Sequence, residues 1–127
     1  MADLDEGVPL FVQIAERLAD EIAEGTLGEG ERVPSTNELA AFYRINPATA
    51  AKGIGMLTDD GLVEKRRGIG MFVTDGARDR LLGERRKRFA ERYVEPLVAE
   101  AARLGIDADE LVALIREASH AREGSRI

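Results

Sequence analysis

Apolar positions near the start of the chain recur at helical spacing. Phe11, Ile14, Leu18 and Ile22 follow one another at three or four residues, with Glu16, Arg17, Asp20, Glu21 and Glu24 between them. That pattern predicts an amphipathic helix over residues 9–25, with Pro9 near its start and Gly25 at its C-terminal cap. Gly28 and Gly30 then break the chain, and Arg32-Val33 is long enough for one short strand before Pro34. Ser35-Thr36-Asn37-Glu38 has the spacing of a capping box, in which the Ser35 hydroxyl and the Glu38 carboxylate each satisfy a backbone N–H of the other residue. The short helix that follows turns Leu39, Ala40 and either Phe42 or Tyr43 inward. A second start comes at once, with Asn46 as N-cap and Pro47 at the first helical position. This helix runs to about Asp59 with Ala50, Ile54 and Leu57 inward. Two short helices so closely linked suggest a helix-turn-helix.

After the Asp60-Gly61 turn the period changes to two. Leu62-Val63-Glu64-Lys65 and Met71-Phe72-Val73 each alternate as half-buried strands do. Arg66-Arg67-Gly68-Ile69-Gly70 joins them as a basic hairpin tip, which makes the pair a wing behind the helix-turn-helix. From Ala77 to about Leu104 a long helix is expected, its stripe formed by Leu82, Phe89, Tyr93, Leu97, Ala101 and Leu104. Pro96 falls inside it and predicts a kink or break near Arg92–Pro96. Gly105 suits the cap of that helix, with Ile106 as its hydrophobic partner. A last helix, Asp109 to about His120, is expected to bury Leu111, Leu114, Ile115 and Ala118, with Glu123–Ile127 frayed. The fold expected is mainly α: a winged helix-turn-helix of three helices plus a small β wing over residues 1–75, and a two-helix tail over residues 76–127.

Charge refines this reading. The 127 residues carry a net charge of −6, which for the whole chain opposes nucleic-acid binding. The distribution is uneven. Residues 1–31 hold nine acidic residues and only Arg17, whereas residues 32–74 hold Arg32, Arg44, Lys52, Lys65, Arg66 and Arg67 against four acids. A locally basic face can bind phosphates within an acidic chain. The lack of Cys and the single histidine, His120, rule out thiolate and His-cluster metal sites and a Cys nucleophile. Ser35 as a nucleophile would need a His and an acid arranged around it, and its capping role is simpler. Gly68-Ile69-Gly70 lacks the third glycine of a dinucleotide loop. No catalytic residue, metal or cofactor is expected. No apolar run is long enough to span a membrane, and the acidic start lacks the features of a signal peptide, so a cytoplasmic protein is expected.

Pro9-Leu10-Phe11-Val12-Gln13-Ile14, Gly25-Thr26-Leu27, Val33-Pro34-Ser35, Leu39-Ala40, Asn46-Pro47-Ala48-Thr49, Gly61-Leu62-Val63 and Arg67-Gly68-Ile69-Gly70-Met71-Phe72-Val73 resemble, in order and spacing, the GntR family of bacterial winged-helix transcription regulators. The Asn-Pro-x-Thr start of the second short helix and the two-helix tail resemble its YtrA-type subfamily. The chain departs from the family at Asn37, where Arg is usual, at Ala50 and Gly53, where larger residues are common, and at Met71, where Thr is common. The resemblance implies a homodimeric regulator, expected to be a repressor on an inverted-repeat operator in double-stranded DNA.

On the residues, the helix opened by Asn46 would enter the major groove. Asn46, Pro47, Ala48 and Thr49 would lie toward base edges and phosphates, and Lys52 toward a phosphate. Asn46 can cap its helix or read adenine, but not easily both. Arg66, Arg67, Gly68 and Gly70 would meet the minor groove. Arg32, Ser35, Thr36, Asn37 and Arg44 complete the expected DNA-binding set. The run Arg85-Arg86-Lys87-Arg88 covers all sides of a helix and reads as a solvated face. Two tail helices cannot enclose a core, so Leu82, Phe89, Tyr93, Leu97, Leu111 and Leu114 are expected at a dimer interface. A small-molecule effector, if there is one, would sit between subunits or where the tail meets the winged helix. The rival reading is a winged-helix module that binds protein and not DNA.

Overall fold

The computed structural model describes residues 7–124. Most of the acidic start and the last three residues of the expected frayed end lie outside the described residues. The chain divides into two compact units, residues 1–84 and 85–127.

In the first unit, helix α1 (Leu10–Glu24) buries Ile14, Leu18 and Ile22, as their spacing predicts. It ends at Gly25, whose φ of 85° is open to glycine without a Cβ penalty. The buried Gln13 side chain is satisfied at the start of the helix, where Nε2 donates to the Val8 carbonyl at 2.6 Å. Helix α2 (Thr36–Tyr43) opens with the full capping box: Glu38 N–H donates to Ser35 Oγ and Ser35 N–H to Glu38 Oε1, each at 3.0 Å. Of the two aromatic candidates, Tyr43 packs against the core and Phe42 is exposed. The turn into α3 passes through Arg44, which has a φ of 57°. Left-handed backbone costs a non-glycine residue about 1–2 kcal/mol. Helix α3 (Pro47–Asp59) follows, with Ala48 N–H bonded to Asn46 Oδ1 at 2.8 Å.

Strands β1 (Val63–Arg66) and β2 (Gly70–Val73) pair antiparallel, with Val63 opposite Val73 and Arg66 opposite Gly70. The segment around Arg32 lies on the other side of β2. Arg32 bridges Phe72, Val33 N–H donates to Met71 O at 2.7 Å, and Val73 N–H donates to Glu31 O at 3.0 Å. Ile14, Ile22, Val33, Leu57, Val63 and Val73 form the most deeply buried part of the core, so both short helices, α1 and the wing share one interior.

The close approach of α1 and α3 rests on Gly53. A Cβ there would lie 2.9 Å from the Phe11 carbonyl oxygen and 3.3 Å from an Ile14 methyl. A glycine inside a helix costs about 1 kcal/mol relative to alanine, and here the two backbones meet where any side chain would hold them apart. Gly55, two residues on, has open space around it.

Helix α4 (Ala77–Phe89) starts inside the same core, with Ala77 and Leu81 buried. Arg78 Nε donates to the Ala23 carbonyl at 2.9 Å, near the end of α1. Arg80 Nη2 donates to Gly61 O at 2.5 Å and to Thr74 Oγ1 at 2.8 Å. The first unit therefore runs past the boundary expected at residues 75/76, because the first two turns of α4 are fastened to it.

In the second unit the helical path continues through a π-helical turn at Ala90–Val94 into α5 (Glu95–Arg103). The expected kink or break at Pro96 takes this form: Glu95 N–H bonds to Ala90 O, five residues back. Ile106 N–H donates to Ala101 O at 2.9 Å beyond the helix end, and Asp107 Oδ1 accepts from Glu110 N–H at 2.9 Å. Helix α6 (Ala108–Gly124) buries none of its residues. Leu111 is half-buried, and Leu114 and Ile115 are about half exposed. The expectation that this stripe is buried fails within one chain, because a lone helix pair offers no second layer to cover it.

Gly53→Ala should destabilise the fold by about 1–2 kcal/mol, since the clash with α1 outweighs the helix-propensity gain. Gly55→Ala should stabilise it by about 0.5–1 kcal/mol. Urea unfolding of the two variants, without DNA, should give midpoint shifts of opposite sign.

Candidate nucleic-acid interface

The residues at the N-terminal end of α3 are set by its cap. Asn46, Pro47, Ala48, Ala51 and Lys52 are exposed, while Thr49 is half-buried. The Asn46 side chain is occupied as the cap, so in the free protein it holds the helix start instead of reaching outward. The outer face is otherwise made of small residues, so few atoms on it extend far from the backbone.

Several of the expected cations have partners inside the fold. Arg32 Nη1 lies 3.2 Å from Glu38 Oε1, both side chains being about half exposed. The Arg32 side chain also runs along Gly70, where a Cβ would come within 3.3 Å of its Nε. Arg32 thus links the wing to the start of α2. Lys52 Nζ sits 4.1 Å from the centre of the Phe11 ring, a cation–π contact between α3 and α1. The Arg66 guanidinium stacks over Phe72 at 4.3 Å and lies 3.7 Å from Glu64. Arg44, Lys65 and Arg67 make no ion pair among the described residues.

The wing tip is built for close approach. Ile69 N–H donates to Arg66 O at 3.0 Å, closing a turn in which Gly68 has a φ of 75°. Nothing lies within 4 Å of the position a Gly68 Cβ would take. Arg67 and Ile69 are exposed on either side of Gly68. Thr36 is half-buried and Asn37 exposed in the first turn of α2, beside Ser35, whose hydroxyl is held by the cap. Lys65, counted in the basic segment but not placed in the expected interface, is exposed on β1 beside Arg66. The signal that could have found it is strand alternation read together with charge.

The lone His120 lies on α6, 3.5 Å from Glu123 and exposed. Among the described residues no group of three or more His, Asp or Glu side chains could hold a metal ion. No helix among them is long and apolar enough to cross a membrane.

Three helices around one core, a capped helix with an exposed N-terminal face, and an antiparallel hairpin with a basic glycine tip define a winged helix-turn-helix module. The model of the bacterial regulatory proteins of the gntR family matches residues 10–73, and the chain belongs to that family. It is 26% identical over 124 residues to the HTH-type transcriptional repressor YtrA of Bacillus subtilis (strain 168), covering 98% of this chain and 95% of that one. A GntR family transcriptional regulator from Listeria monocytogenes superposes with a TM-score of 0.65 at 25% identity, over 90% of this chain and 98% of its own. The DNA-binding domain of AraR in complex with operator ORX1 superposes with a TM-score of 0.51 at 29% identity, over 58% of this chain and 90% of its own. The chain is a DNA-binding transcription regulator of the winged-helix type.

Glu38 gives the interface a pH signature. The hydrogen bond from the Ser35 backbone N–H, then the Ser35 side chain and the Arg32 charge, hold its carboxyl below the usual value of 4.5. A depressed folded-state pKa contributes stability above the unfolded value that is lost as pH falls through the folded one. Glu38→Gln keeps an acceptor for the cap but removes the charge. Wild type should therefore be more stable than the variant near neutral pH. The difference should shrink as pH drops below about 4.5, as measured by urea unfolding across an acid series.

Proposed function

We propose that the protein is a sequence-specific repressor that binds an inverted-repeat operator as a homodimer in the cytoplasm. One α3 helix of each subunit would enter the major groove, and the Arg66–Gly70 tip would meet the adjacent minor groove. The observation that carries the reading is the wing: an exposed, unpaired Arg67 beside a glycine turn with open space around it, on the hairpin that follows the capped α3. Such a tip brings backbone and a cation to a narrow groove with negative potential. Arg44, in the turn before α3, and Lys65 supply further cations for phosphates. Asn37, Thr36 and Ser35 would lie near the DNA backbone at the start of α2. Arg32, Lys52 and Arg66 would act from positions already fixed by Glu38, Phe11 and Phe72.

The dimer follows from what the second unit leaves uncovered. Of its described residues only Ala101 is buried, while Phe89, Tyr93, Leu97, Val98, Leu114 and Ile115 are exposed. A helix pair that buries one alanine has too little core to hold itself, and a second copy supplies the same apolar faces. Leu111, half-buried, would stand at the edge of the proposed contact, whereas Leu82, expected at the interface, packs against the core of the first unit.

Fluorescence anisotropy on fragments enriched from the protein's own genome tests the DNA reading. Affinity should fall steeply with salt, and Arg67→Ala should flatten the log–log slope by about 2 for a dimer, at roughly 0.9 per phosphate contact. An unchanged slope would remove Arg67 from the interface. A chain that enriches no DNA fragment would favour the reading as a protein-binding module.

A chain ending at Glu84 keeps the fastened turns of α4 and should sediment as a folded monomer. Its operator affinity should be at least about 100-fold weaker, since two linked heads gain roughly 10²–10⁴ in avidity. A truncated chain that remains dimeric would place the interface elsewhere.

A further inference from the structure

The apolar residues of the second unit are spaced wrongly for a plain α-helix. Phe89, Tyr93, Leu97 and Ala101 follow at steps of four. At 3.6 residues per turn each such step overshoots a full turn by about 40°, or about 120° over the three steps. In an uninterrupted α-helix Phe89 would stand on a different face from Ala101. The π-helical turn at Ala90–Val94 interrupts the helix at the point where this drift matters. Its hydrogen bond from Glu95 N–H to Ala90 O admits one extra residue into the turn. One residue corresponds to about 100° of rotation, so the drift from Phe89 to Ala101 falls to about 20°. The Phe89 and Tyr93 rings, with centroids 5.5 Å apart, already share one side of this segment.

Pro96 supplies a cause for the turn. It has no N–H to offer the Arg92 carbonyl, and its ring would crowd that carbonyl in a regular α-helix. Widening the turn relieves the crowding, and the continuous helical path from Ala77 to Arg103 is kept without a break.

We propose that the π turn is the register device of the subunit interface. It brings Phe89 and Tyr93 into line with Leu97, above the buried Ala101, and so makes one continuous exposed stripe for a second copy of this chain. The inference rests on the homodimer reading above. It adds that the stripe exists only because one residue more than an α-helix needs lies between Phe89 and Leu97.

The test uses the full-length chain with one residue removed or added. Deleting Ala90 removes the extra residue, so the segment can close as ordinary α-helix with the stripe still in line. Its dimer dissociation constant should stay within about threefold of wild type. Inserting one alanine after Ala90 cannot be absorbed by a turn that is already wide. It swings Phe89 away from Tyr93, Leu97 and Ala101 by about 100° and should weaken the dimer by about tenfold or more. Sedimentation equilibrium reads the association, and far-UV circular dichroism confirms that both variants are folded and helical. Equal tolerance of the two changes, or equal damage from them, would overturn the register role while leaving the homodimer standing. A monomeric wild-type chain would overturn the homodimer itself, and this inference with it.

Discussion

The first unit depends on a backbone-to-backbone contact. At Gly53 helix α3 comes so close to α1 that even a methyl group would press on the Phe11 carbonyl. Because α3 lies that near, Ile14 can reach full burial and Lys52 can rest on the Phe11 ring. Core packing tolerates little change in volume, so the orientation of the helix proposed to face DNA is set from behind, by a residue on its inner side. The wing is held in the same manner. Arg32 lies along Gly70 and ends on Glu38, which also completes the capping box of α2. Helix start, strand pairing and wing tip thus share one set of contacts.

What could be read in the chain was what local chemistry decides. The spacing of Phe11, Ile14, Leu18 and Ile22, the Ser35–Glu38 box, the Asn46-Pro47 start and the glycines of the wing each act within a few residues, and each stands in the structure in its expected place. What could not be read depends on residues far apart in sequence. Gly53 looks like a defect in a helix until α1 is laid against it. Arg78 and Arg80 sit in a strongly polar stretch with no apparent inward face, yet they bond carbonyls at Ala23 and Gly61 and move the end of the first unit into α4. Pro96 announced a disturbance, but a proline cannot by itself say whether a helix will break, bend or widen.

The proposed interface can be read from the chain as a region and less so as a set of side chains. Sequence gives the basic segment, since charge is counted without geometry. It does not say that Lys52 and Arg66 lie over aromatic rings, or that Arg32 has a carboxylate partner. Those pairings depend on Phe11, Phe72 and Glu38 arriving from other elements. They also change how the cations would meet DNA. A side chain already resting on a ring or a carboxylate has given up part of its rotamer freedom, and less remains to be lost on binding, where immobilising such a chain costs about 0.5–1.5 kcal/mol.

Arg44 shows the opposite economy. Its left-handed backbone would be relaxed by glycine, and its exposed side chain makes no ion pair among the described residues. The free fold therefore gains nothing evident from having arginine at that bend. A search for sturdier versions of this chain, scored on thermal tolerance alone, would be drawn to this position early and would discard the cation nearest the start of α3. Robustness of the fold and the grip on DNA proposed for Arg44 are in tension at a single residue, so any selection regime that measures only one will erode the other there first.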